Sequence, residues 1–152
     1  MTETQWMGRY RTLVERIIHL CNKSATHFTR PAFFDTPYKL TAIQIQIIEY
    51  LLEDRDENMS SVAQRLGITR GAFSNNVTRL IGMGLLEKAH RPGNNKNLFV
   101  TVTPKGRGLY RDYSRFIYER WFRDMFKLAD QIPEEHLKIF EDILQGFADT
   151  LV

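Results

Sequence analysis

Six residues between positions 70 and 79 have the types and spacing that suit contact with nucleic acid. Short polar side chains and a glycine lie between two arginines, without an acidic residue: Arg70, Gly71, Ser74, Asn75, Thr78 and Arg79. Asparagine can pair bidentately with adenine, hydroxyl groups reach several base edges, and arginine anchors phosphates. On one face of a helix, these residues would read the major groove of double-stranded DNA.

The positive charge of the chain is concentrated in the same region. Residues 60–111 hold nine basic residues against Glu87, a net +8, whereas the remaining 12 basic and 17 acidic residues give −5. The nine are Arg65, Arg70, Arg79, Lys88, Arg91, Lys96, Lys105, Arg107 and Arg111. A basic segment in an otherwise acidic chain is typical of a polyanion-binding module, although a solvated basic face is the simpler alternative.

Composition and cysteine content narrow the class of protein. With 43% apolar and 26% charged residues, the chain of 152 residues is expected to be globular rather than disordered. Its single cysteine, Cys21, has no internal partner for a disulfide, which fits a reducing compartment. The chain shows no signal-peptide pattern and no apolar stretch of about 18 residues, so we expect a cytoplasmic location and no membrane insertion.

Other residue types with chemical potential lack a supporting pattern. Cys21 falls on an apolar helical stripe, which favours an inert thiol over an oxidant sensor, and the sensor stays the alternative. The four histidines show no metal-ligand spacing. Without a phosphate-binding loop, a nucleophile elbow or paired catalytic carboxylates, the sequence predicts no enzyme, no metal site and no cofactor.

A helix-turn-helix is predicted to position the polar face of residues 70–79. Asn58 or Ser60 caps a short helix, Gly67 suits a left-handed turn, and Thr69 caps the next helix, over 70–83. The predicted buried face of that helix consists of Phe73, Val77, Leu80 and Ile81. An ordinary helical hairpin is the alternative, and the polar face favours the DNA-binding arrangement.

A β-hairpin is predicted directly after this helix. Two β-rich runs flank a polar turn over residues 91–97, so the hairpin would form a wing. Arg91 and Lys96 at its tip could reach phosphates or the adjacent minor groove. Thr103 then caps a further helix, with Pro104 at its first position.

Helices are predicted on both sides of this lobe. One runs over 9–28, a second begins at the capping box of Thr41 and Gln44, a third covers about 104–129, and Pro133 opens the last. The last helix carries an apolar seam, which we define as Leu137, Phe140, Leu144, Phe147 and Leu151. This seam can pack within the chain or against a second copy. The predicted fold class is mainly α with a small β-wing.

The order of these elements resembles the MarR family of bacterial winged helix-turn-helix regulators along nearly the whole chain. The matching segments are Leu40-Thr41-Ala42-Ile43-Gln44, Ala63-Gln64-Arg65-Leu66-Gly67-Ile68-Thr69-Arg70, Leu80 to Leu86 and Val102-Thr103-Pro104-Lys105-Gly106. The resemblance implies one domain over 1–152, with a winged helix-turn-helix lobe at 41–103 and a helical dimerisation region at 1–30 and 104–152. It also implies a homodimer on a pseudo-palindromic operator, usually a repressor relieved by a small molecule or an oxidant.

The resemblance implies an effector site as well. Similar proteins bind phenolic or other apolar ligands between the DNA-binding lobe and the dimer helices. Phe33, Phe34 and Tyr38, in a proline-bounded loop, and Tyr113 are the candidate ligand-binding residues, with core packing as the alternative.

The tip of the wing departs from the family pattern. An aspartate followed two residues later by an arginine is usual there, and this chain has Asn94 and Lys96. Lysine lacks the planar guanidinium that fits a narrow groove. Two alternatives therefore stand beside the DNA-binding regulator: a winged module that binds an acidic protein, and a ligand-binding protein with weak or lost DNA binding.

Overall fold

The computed structural model describes residues 3–53, 58–91 and 93–151, without the side chains of 91 and 94–98. The chain divides into two compact units, Met1–Asp112 and Tyr113–Val152. After a 3-10 helix at Gln5–Tyr10, the elements are α1 (Arg11–His27), α2 (Ala42–Leu52), α3 (Met59–Leu66), α4 (Arg70–Gly82), β1 (Leu86–Arg91), β2 (Asn94–Val102), α5 (Pro104–Ile117), a π-helical turn (Tyr118–Phe122), α6 (Arg123–Ala129) and α7 (Glu134–Thr150). The predicted fold class, mainly α with a small β-wing, is confirmed.

Side-chain caps define where the central helices begin. Thr41 Oγ1 accepts from Gln44 N (3.2 Å), and Gln44 Oε1 accepts from Thr41 N (3.0 Å), so the predicted capping box of α2 is present. Asn58 rather than Ser60 caps α3, because its Oδ1 accepts from Ser61 N at 2.8 Å. These local bonds satisfy amide groups that a helix start leaves without partners.

The core of the first unit lies among α2, α4 and the base of the wing. Its largest fully buried side chains are Leu40, Ile45, Ile47, Ile48, Phe73, Leu80, Leu85 and Leu86. α2 packs against α3, α4 and β2, and α4 packs against α3 and β1. The helix-turn-helix is therefore held on a rigid apolar base.

The wing is an antiparallel two-stranded sheet in which Leu86 pairs with Val102 and His90 pairs with Leu98. The predicted turn over 91–97 is too long, since both strands extend into it and Arg91 pairs with Asn94. The register shifts between His90 and Arg91, because β2 contains extra residues there.

The predicted helices outside the wing are interrupted at two places. The first helix begins at Arg11 rather than Arg9, because Arg9 and Tyr10 belong to the preceding 3-10 helix, which is kinked at Gly8 (φ 48°, ψ −130°). The helix predicted over 104–129 is divided by the π-helical turn.

The second unit leaves most of its apolar side chains exposed. α6 and α7 contain no buried residue. In the apolar seam, Leu137 and Phe147 are half-buried, and the other three members are exposed. No helix in the described ranges has the length and apolarity needed to cross a membrane.

Candidate nucleic-acid interface

The turn between α3 and α4 is built by one glycine and one threonine. Gly67 has φ 67°, the left-handed conformation that glycine adopts without strain. Ile68 N donates to Ala63 O (3.1 Å), which closes the end of α3. Thr69 Oγ1 then accepts from Ala72 N at 3.1 Å and starts α4, as predicted.

α4 has one buried and one exposed face. Phe73, Val77 and Leu80 are buried at successive steps of four and three residues. The exposed face holds all six residues singled out from the sequence: Arg70, Gly71, Ser74, Asn75, Thr78 and Arg79. The geometry thus brings them to one side of one helix, and their contact with DNA stays a prediction.

Two polar side chains of α4 bond to their own helix. Asn76 Nδ2 donates to Ala72 O (2.9 Å), and Thr78 Oγ1 donates to Ser74 O (3.0 Å). Among the residues that the structure describes, the side chains of Ser74 and Asn75 form no hydrogen bond. The amide of Asn75 is therefore available for a bidentate pair with a base, whereas that of Asn76 is half-buried and already bonded.

The positive charge of one basic residue in the 60–111 segment, Arg65, is compensated by a carboxylate. Arg65 Nη2 lies 3.1 Å from Glu53 Oε2, and the Arg65 guanidinium lies 4.0 Å from the centre of the Tyr50 ring. Burial and the neighbouring Glu53 raise the pKa of Glu49, a carboxyl group that Tyr110 and Arg65 partly stabilise in its charged form. The Arg65 guanidinium is therefore engaged by Glu53 and Tyr50, on the α2 side of the lobe.

The carboxyl end of α4 is contacted by residues for which the sequence predicted no role in the interface. A Cβ atom on Gly106 would overlap Leu85 O and lie 2.7 Å from Val102 Cγ1, so only glycine permits the approach of α5 to the wing base. Lys105 and Thr103 bond to the backbone at the end of α4. The sequence signal that could have identified these residues is the segment 102–106, which resembles the MarR-family pattern.

The candidate effector residues do not all belong to one unit. Phe33 is 57% exposed, and Phe34 and Tyr38 are half-buried in the loop between α1 and α2. Tyr113 is buried in the second unit. The effector site therefore stays a prediction.

The remaining candidates are Cys21, the histidines and the wing tip. Cys21 is a half-buried free thiol in α1, and the oxidant sensor stays the alternative. Within the described ranges, no three histidine, cysteine, aspartate or glutamate side chains group as metal ligands would. The side chains of Arg91, Asn94 and Lys96 lie outside the described part of the chain.

Sequence comparison identifies the lobe. Residues 40–106 match a family model described as a winged helix DNA-binding domain. Over 110 residues, the chain is 22% identical to YhjH of Bacillus subtilis, covering 70% of this chain and 62% of that protein. Over 69 residues, it is 33% identical to YvnA of the same organism, covering 45% and 44%. Both are called uncharacterized HTH-type transcriptional regulators, and the chain spans less than two thirds of each.

Solved structures share the fold along nearly the whole chain. Lactococcus lactis ZitR in complex with DNA superposes with a TM-score of 0.67 at 15% identity, covering 96% of this chain and 99% of that one. ZitR is described as a zinc-responsive MarR family member. The PcaV regulator of Streptomyces coelicolor, in complex with its natural ligand, superposes with a TM-score of 0.60 at 18% identity and full coverage of both chains. At these identities, the likeness shows the fold.

Proposed function

We propose that this chain, which contains a winged helix-turn-helix domain and has the fold of MarR-family regulators, is a sequence-specific transcriptional regulator. The exposed face of α4 carries the proposal. It presents two arginines and three short polar side chains without an acidic residue, on a helix anchored by buried Phe73 and Leu80. Such a face suits base edges flanked by phosphates. The protein acts as a regulator rather than as an enzyme, in the cytoplasm.

A homodimer accounts for the apolar surface outside the lobe. Among described side chains, Met59 is the only exposed large hydrophobic residue within 41–103. The terminal elements expose many: Trp6, Tyr10, Leu13, Ile18, Leu20, Phe28, Tyr118, Trp121, Met125, Phe126, Leu128, Ile132, Ile139, Phe140, Ile143, Leu144 and Leu151. Exposed apolar side chains in this number are typical of surfaces that are buried on assembly. The dimer would place two α4 helices on a pseudo-palindromic operator.

Selection from random genomic fragments at two salt concentrations tests the DNA-binding function. The full chain should enrich one two-fold symmetric sequence, with half-sites about 10 base pairs apart. Inserting roughly 5 base pairs between the half-sites should abolish simultaneous binding, because it moves the second half-site to the opposite side of the duplex. Absence of any enriched sequence at low salt would contradict the proposal and favour a protein-binding or ligand-binding module.

A small apolar or phenolic effector would relieve repression. The PcaV structure, which holds a natural ligand in the same fold, supports a ligand-responsive regulator. Phe33 is the residue to test. Its aromatic ring is exposed, so removing the ring creates no buried cavity that would destabilise the protein. A phenol that raises the melting temperature and releases the operator should do so less effectively with Phe33→Ala. An equal response of both proteins would exclude Phe33 from the effector site.

A further inference from the structure

The carboxyl end of α4 is held by side chains from the start of α5. Lys105 Nζ donates to Met83 O at 3.0 Å, and Thr103 Oγ1 donates to Gly84 O at 2.7 Å. The last carbonyl groups of a helix have no partner within the helix, and the helix dipole favours a cation there. Lys105 therefore acts as a cationic cap on the end of the helix that carries Asn75 and Arg79.

Lys105 also contacts a distant part of the first unit. Its Nζ lies 4.9 Å from the centre of the Tyr38 ring, within the range of a cation–π interaction. Tyr38 belongs to the loop between α1 and α2, so one ammonium group joins this loop to the end of α4. Because the contact needs a ring face, it depends on the aromatic ring of Tyr38 and not on its hydroxyl group.

The loop that presents Tyr38 has a defined and strained conformation. Phe34 and Asp35 both have positive φ angles, 48° and 57°, which cost energy for residues other than glycine. Thr36 is buried, and its Oγ1 donates to Phe33 O (2.7 Å). Such strain persists only where surrounding contacts impose it, so the position of Tyr38 is set by the loop as a whole.

We propose that Lys105 is a positioning residue for DNA recognition, which ties the end of α4 to Tyr38 so that the 32–40 loop sets the placement of the exposed face of α4. This role rests on the proposed DNA-binding function. Lys105 acts through the backbone of Met83 and through Tyr38, not through contact with DNA. A change in the loop would then alter base readout without changing any residue of the face itself.

Four single variants and one double variant of the full chain test this link. Lys105→Met and Tyr38→Leu should each lower the preference for the selected operator over scrambled DNA by about threefold to tenfold, with an unchanged salt slope. Lys105→Arg keeps the donor and the cation, and Tyr38→Phe keeps the ring, so both should retain the preference. The Lys105→Met/Tyr38→Leu protein should lose no more than Lys105→Met alone, because removal of the ammonium group already breaks the contact with Tyr38.

A matched control separates this role from a loss of charge or stability. Arg107 is exposed on α5, and its side chain forms no hydrogen bond or ion pair with a described residue. Arg107→Met should leave the operator preference unchanged. A merely destabilised protein would bind both DNAs less in proportion to its folded fraction, and their ratio would not move.

Amide hydrogen exchange of the DNA-free protein tests the link independently. Exchange in residues 80–86 should be faster in Lys105→Met and Tyr38→Leu than in the wild type, and unchanged in Tyr38→Phe.

The two kinds of failure give different results. If the wild type selects an operator and Lys105→Met keeps the full preference, or loses affinity for both DNAs with a shallower salt slope, the positioning role is wrong. If the wild type selects no operator, the proposed function fails and the recognition role fails with it, and the exchange pattern still reports whether Lys105 links the loop to α4.

Discussion

At the scale of single residues, Asn75 separates base readout from general affinity. Its side-chain amide is exposed on α4 and forms no hydrogen bond with any described residue. Asn75→Ala should lower the preference for the operator over scrambled DNA by about 1–3 kcal/mol per half-site, with a nearly unchanged salt slope. Competition binding at several salt concentrations measures both quantities. Full preference in the variant would mean that Asn75 does not face the bases.

Arg79 should behave in the opposite way. It is exposed one turn after Asn75, where a guanidinium suits a phosphate. Arg79→Ala should weaken binding to operator and scrambled DNA alike, and make the salt slope shallower by about one unit per lost phosphate contact. The same titrations provide the measurement. A selective loss of operator binding would instead assign Arg79 to base recognition.

The raised pKa of Glu49 predicts that the stability of the protein depends on pH. Burial raises the pKa of its carboxyl group above the ordinary 4.5, so the folded state holds the proton more tightly than the unfolded state. The unfolding free energy should therefore fall as the pH rises from about 4.5 through the raised pKa. Glu49→Gln should remove this part of the decline and be the more stable protein above that pH, since glutamine can still accept from Tyr110.

Chemical denaturation across this pH range tests the role of Glu49. Glu141→Gln, at an exposed carboxyl group of α7, is the matched control and should follow the wild type. Identical pH profiles for Glu49→Gln and the wild type would contradict this prediction.

At the scale of elements, the approach of α5 to the wing base depends on Gly106. Its missing side chain lets Leu85 O come close, so Gly106→Ala forces a backbone shift and should lower the unfolding free energy by about 1–3 kcal/mol. Gly108 lies two residues later in the same helix, where a methyl group would meet no atom within 4 Å. Gly108→Ala should instead stabilise the protein by about 0.5–1 kcal/mol. Urea unfolding of both variants makes the comparison, and equal effects would show that the contact with Leu85 is relaxed in solution.

At the scale of the whole molecule, the apolar seam of α7 predicts self-association. Leu144 is 43% exposed in the single chain, so a polar substitution costs little within it. Leu144→Lys should weaken the dimer roughly tenfold or more, because it buries a charge in an apolar interface twice by symmetry. Gln145→Lys adds the same charge beside Asp149, the present partner of Gln145, and should remain dimeric. Sedimentation at micromolar concentration tests both, and a monomeric wild type would contradict the proposed dimer.

Most of the helix-turn-helix could be predicted from the sequence because its determinants are local. The capping box of Thr41 and Gln44, the cap at Thr69 and the left-handed Gly67 all act within four residues of their partners. The period of Phe73, Val77 and Leu80 alone defines which face of α4 is buried, and hence which face is exposed.

Only the tertiary structure decided which distant residues meet. No periodicity in the sequence pairs Lys105 with Tyr38, Arg65 with Glu53 or Gly106 with Leu85. These contacts depend on how helices and strands pack, and packing is a property of the assembled core rather than of any local segment. The length of the wing turn was mispredicted for the same reason, because the register shift at His90 and Arg91 is set by pairing across two strands. The sequence alone thus determined the elements and the polar face of α4, whereas packing decided what holds that face in place.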